Sequence, residues 1–288
     1  KLTTAQVQAL SSAALAALTT TQVGSLTSDQ LNSLTTAQMS SLTSTQLAAV
    51  DTEDIENLTT TQLAALKAPQ LKGLTSDQMA ALTADQADSL STAQLRGLSA
   101  SQLGYLGSDQ AAALTSTQVG ALNSQQLNGL SSDAVAALDS EDLNNISNSV
   151  LKKLDASFIE ALSSDQVGNL STAKISALSS TQIAAIETDD ITALTSSQLN
   201  AMSSQQIGSL NTGQIQALTT DQVGNLGTAQ IKSLTTTQAQ ALTSAQIQAM
   251  SGTQIAAMSA AQLSKLDSDT VQAMGSDALS ALTTNQIR

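Results

Sequence analysis

A large apolar residue falls at Leu2 and at every eighth residue after it, through Leu10, Leu18 and Leu26 to Leu282. A second apolar series starts at Val7 and keeps the same spacing to Ile287, relaxed only to alanine at Ala87, Ala111 and Ala239. With the octad written a to h and Leu2 at a, position a is Leu in 29 of 36 repeats and otherwise Val, Ile or Met. The second series is position f. No insertion or deletion breaks this register, so the pattern predicts one linear array over residues 1–288, 36 octads long, in which each unit packs on its neighbours.

The polar positions say what each octad folds into. Position b is Ser or Thr in 25 repeats, and Asp, Asn and Gly bring the residues suited to cap a helix N-terminus there to 34, leaving only Lys67 and Glu187 outside. Position e is Gln in 26. In the octad LTTDQVGN, from Leu218 to Asn225, Thr219 and Gln222 stand three apart, the spacing of a capping box. Leu218 before the cap and Val223 at the fourth helical position form a hydrophobic staple across it and supply the core. The pattern therefore predicts a helix from about c to the next a in every octad. The single proline, Pro69, falls in a first helical turn, where its missing N–H has no intrahelical partner to lose.

Rival periodicities fare worse. In one continuous helix, eight residues at about 100° each would make the apolar stripe drift by about 80° per repeat. Coiled coils require periods of seven or eleven. A β-solenoid is the alternative, since short Thr-rich repeats suit it. Against it, a and f are five residues apart and would face opposite sides of a strand, and glycine keeps no fixed phase. The fold class expected is all-α: a tight α-solenoid of short capped helices. Helices this short are unstable alone, so stacking must hold them, with f and the following a forming one apolar seam and the small residue at h allowing close approach.

Composition narrows the chemistry. Apolar residues make up 41% of the chain and mean hydropathy is +0.03, more than a disordered polar tract offers for burial. The net charge of −13 argues against a nucleic-acid partner, whose phosphates demand clustered cations. No apolar run approaches the roughly 20 residues of a membrane-spanning helix. With no His and no Cys, the abundant serines have no activating base and no thiol nucleophile is present, so neither an enzyme nor a cofactor is expected.

Two departures from the octad are candidate sites. Three octads are acidic, offering Asp51, Glu53 and Asp54; Asp139, Glu141 and Asp142; and Glu187, Asp189 and Asp190. Carboxylates of this kind are calcium ligands, but these occupy cap and first-turn positions favoured by the helix dipole and lack a glycine-turned loop, so no metal is expected. From Asp139 to Glu160 the repeat is least regular, and Ala134, Asp142, Val150 and Phe158 replace Gln at four successive e positions. Val150 and Phe158 put apolar bulk there, a candidate lateral contact.

Octads such as LTTAQVQA, LTSAQIQA and LTTTQLAA resemble, along the whole chain, the repeat tracts of very large bacterial surface or secreted proteins described as adhesin-like or heme-utilisation-like. The resemblance implies an extracellular or cell-surface location and a scaffold or adhesive role. Heme finds no ligand set here, with no His or Cys and Tyr105 the only tyrosine. The function expected is a structural rod, stalk or filament segment, with a binding module for protein, glycan or ice as the alternative. Lys1 and Arg288 interrupt the pattern without capping repeats, so a piece of a longer array, or end-to-end self-association of copies, is the expected context.

Overall fold

The computed structural model of the chain describes residues 2–287, and among them every octad carries one short α-helix, 36 in all from Thr4–Gln8 to Thr284–Ile287. No strand occurs among the described residues, which decides between the two solenoids in favour of the helical one.

Each helix starts where its cap dictates. Thr219 is extended, at φ −68° and ψ 159°, and the helix Thr220–Gly224 follows it. The far end differs from expectation, because helices stop between f and h and do not include the next a. The reason is the staple: a residue that precedes the next cap must be extended to fold back over that helix. Leu98, at φ −73° and ψ 148° after the helix Thr92–Gly97, shows the compromise. Its N–H still donates to Leu95 O at 3.1 Å, so no backbone donor is lost at the joint. An octad is thus a helix of four to six residues plus a link of two to four residues that ends in the extended N-cap of the next helix. No described residue has positive φ, which explains why glycine needs no fixed place in the repeat.

The helices fall into two compact units, Lys1–Leu154 and Asp155–Arg288. Within the first, Ser108–Ala112 packs on Ser132–Ala137, three octads on; within the second, Thr220–Gly224 packs on Ser244–Ala249 in the same way. Side-chain bonds bracket the length of a turn. Ser40 Oγ donates 25 residues forward to Ala65 O at 2.8 Å, while Gln46 Nε2 donates 28 residues back to Leu18 O at 2.8 Å. The 28-residue bond runs from e of one octad to a of the octad three before it, the same three-octad spacing at which the helices pack.

The seam lies inside the turns. Residues at f are the most enclosed, with Leu63, Leu95 and Ile183 at 0% exposure, and those at a line the same interior. Burying each such side chain stabilises by about 1.5–3 kcal/mol. Position h runs against c of the preceding turn: a Cβ on Gly97 would lie 2.5 Å from the Ala68 Cβ.

Candidate functional site

The most elaborated polar feature is the glutamine at e. Its place follows from the cap: with Thr219 at the N-cap, Gln222 is the third helical residue and lies over the helix start. Thr219 Oγ1 accepts from Gln222 N at 3.1 Å, and Gln222 Oε1 accepts from Thr219 N at 2.8 Å. Leu218 and Val223, on either side of this box, are both buried. The other half of the same amide does something a capping box does not require. Gln222 Nε2 donates to Ile191 O at 2.9 Å, Thr192 O at 3.2 Å and Leu194 O at 2.7 Å, the carbonyls that close a helix in the preceding turn.

They lie at and just past a helix C-terminus, where a short helix leaves carbonyls to be satisfied from outside, although Ile191 O also accepts from Leu194 N at 3.3 Å. The arrangement recurs within each unit. In the first, Gln78 Nε2 reaches Leu47 O and Val50 O at 2.9 and 2.7 Å; in the second, Gln246 Nε2 reaches Ile215 O and Leu218 O at 2.8 and 2.6 Å. Each such glutamine joins the N-terminus of one helix to the C-terminus of another, in a site screened from water, where Gln214 is 0% exposed. Stacked along a unit, they make an amide ladder beside the apolar seam.

Where the cap residue has no side-chain acceptor, only the returning half of the box forms. Gln70 Oε1 accepts from Lys67 N at 2.7 Å, Gln110 Oε1 from Gly107 N at 2.8 Å and Gln230 Oε1 from Gly227 N at 2.9 Å. The ladder bond survives in all three.

The acidic octads separate into two environments. Asp54, Asp142 and Asp190 occupy e and are buried, whereas Asp51, Glu53, Asp139, Glu141, Glu187 and Asp189 occupy b and d and are exposed. The two sets point apart, and no group of three or more His, Cys, Asp or Glu residues converges among the described residues. Asp51, Asp139 and Glu187 stand at N-caps, yet none of their side chains makes the cap bond expected of them. Asp54 accepts from Ser28 Oγ and Asp190 from Ser164 Oγ, so a hydroxyl in the preceding turn answers each carboxylate. Asp142 accepts from Asp139 N at 3.0 Å. Burial pushes its pKa up to about 6; the Asp139 N–H opposes that shift, and the neighbouring Asp139 and Glu141 charges add to it. Lys174, also at e and buried, has its pKa lowered by the same desolvation.

The two residues of the candidate lateral contact differ in exposure. Phe158 is 4% exposed and Val150 is half-buried, because e points into the stack and bulk placed there fills the interior.

Among protein families, the model of the ALTTAQ repeat matches residues 1–28, 47–84, 85–116, 135–172, 168–196, 183–220 and 220–252. Comparison with curated proteins gives no match.

Proposed function

Because the chain belongs to the ALTTAQ repeat family, and its turns are tied by a repeated hydrogen bond from glutamine amides, we propose that it is a structural protein: a stalk, spacer or filament segment of a bacterial cell-surface or secreted protein, without enzymatic activity. The observation that carries this reading is the ladder. The best-conserved polar position of the octad is spent, buried, on holding one turn to the one before it. A linear array built of such turns resists bending and local fraying, because opening one turn strands both a capping N–H and the carbonyls of the turn below.

The same chemistry supports extension. A turn of this array carries amide donors on one side and helix-end carbonyls on the other, a heterologous contact that propagates and does not close.

Electron microscopy of the purified chain over a concentration series tests the proposal. Straight particles of uniform width that lengthen end to end with concentration are expected. Particles that are collapsed or flexible at every concentration would overturn the structural reading, and straight particles of fixed length would remove self-association from it.

A further inference from the structure

Ten cations are scattered among 23 acids in this chain, yet three of them gather on one pair of packed helices. Lys67 and Lys72 flank the helix Ala68–Leu71, Arg96 lies on Thr92–Gly97, and these two helices pack on each other across successive turns. Residues 57–76 and 89–108 contain no Asp or Glu at all; the first acids beyond them are Glu56, Asp77, Asp88 and Asp109. In a protein of net charge −13, this is a local reversal of sign.

The surface there is concave. Lys72 and Arg96 line a hollow of about 450 Å³ together with Gly97 and Ser99, over the buried Leu74 and Leu98. Lys72 and Arg96 are exposed, and neither is ion-paired among the described residues. Arg96 Nε donates to Ala121 O, one turn on, at 3.0 Å. That bond anchors the guanidinium to the backbone and leaves its terminal NH₂ groups unspent. Gly97, beside it, adds no side chain to the wall. No acid lines the hollow.

We propose that this hollow is a binding site for an oxyanion, a phosphate or carboxylate group, held by the Arg96 fork and the Lys72 ammonium. An anchored guanidinium presents planar, paired donors that match two oxygens of such a group, and a lysine one turn away adds a mobile point charge. The groups that would hold the anion are g positions on the outer face, although Gln102 of the ladder also lines the hollow.

Arg96 and Arg288 are the only arginines, so the chain labelled with ¹⁵N-arginine gives two side-chain Nε signals, one of them an internal control. The experiment titrates inorganic phosphate, and separately succinate, into the full chain and follows both signals. Saturable movement of the Arg96 signal with at least one probe is expected, weakening as sodium chloride is raised. Lys72→Gln should loosen that binding by about tenfold, the scale of one lost charge-assisted contact, while Lys232→Gln on a remote exposed position should leave it unchanged. Saturation with phosphate alone assigns the site to phosphate groups, and with succinate alone to carboxylates. Equal, non-saturating movement of both arginines, or an affinity unaffected by Lys72→Gln, would overturn the site.

Discussion

Residues 195–263 and residues 131–160 build their helices alike but tie their turns differently. In the first stretch every e residue is Gln, from Gln198 to Gln262, and every one is buried with its amide spanning to the preceding turn. In the second, e is Ala134, Asp142, Val150 and Phe158. Four helices form there nonetheless, Ser132–Ala137, Ser140–Asn145, Asn148–Leu151 and Ala156–Glu160. Two of the four keep a side-chain cap, with Ser131 Oγ accepting from Ala134 N at 3.2 Å and Ser147 Oγ from Val150 N at 3.3 Å, while the Asp139 and Asp155 side chains make no cap bond. The seam persists too, through Val135, Leu138, Leu143, Ile146 and Ile159. The seam, with a side-chain cap at only two of these four helices, therefore suffices to make an octad helical. The glutamine amide is a separate device, which joins turns already formed.

Three substitutions separate these contributions. The largest effect belongs to the seam: Leu218→Ala, at a fully packed a position, should destabilise by about 2–5 kcal/mol in denaturant unfolding, as large-to-small core changes do. The ladder comes next. Gln222→Glu keeps an oxygen for the Thr219 N–H but removes the donor that serves Ile191 O and Leu194 O. Each buried group left unsatisfied costs about 1–3 kcal/mol, so Gln222→Glu should be clearly destabilising at neutral pH and partly rescued in acid, where the protonated carboxyl donates again. A neutral Glu variant would reduce the glutamine to a cap.

The smallest effect is expected in the irregular stretch. The carboxyl of Asp142 has its pKa raised from 3.8 to about 6 in the folded chain, so folding favours its protonated form. Its contribution to stability is full below about 3.8 and is lost as pH rises through about 6. The melting temperature of Asp142→Asn, compared with the parent across that window, should lack this fall. A parallel pH profile for the two proteins would show that Asp142 is not held in the buried state described.

Much of this was legible in the octad itself. Leu218, Thr219 and Val223 occupy core and cap positions that local rules assign, since caps and staples act within five residues. The helices end one to three residues short of the next a, because a must serve as the extended lead-in of the following octad and so cannot close the helix before it. Phe158, a candidate lateral contact, is buried for a related reason. Which way e points depends on the preceding turn, twenty-eight residues away, and no local rule supplies that distance.

The ladder did leave one trace in the sequence. A capping box accepts Glu as readily as Gln, yet no e position in the chain is Glu. That preference for Gln over Glu is what the use of an N–H₂ donor leaves in the sequence, although ten e positions hold other residues. Three e positions are Asp, and two of those are met by a serine hydroxyl from the turn before, the one compensation the register offers.

Hydrogen exchange of glutamine side-chain amides, read by ¹⁵N NMR on the whole chain, tests the ladder most directly. Gln214 and Gln222 donate to carbonyls of the preceding turn from buried positions, whereas Gln216, at g of the same array, is exposed. The account predicts that the Nε2 protons of Gln214 and Gln222 exchange far more slowly than those of Gln216, and that Gln222→Glu speeds exchange of the backbone amides in the turn it formerly tied. Side-chain amides at e that exchange as fast as Gln216 would contradict it.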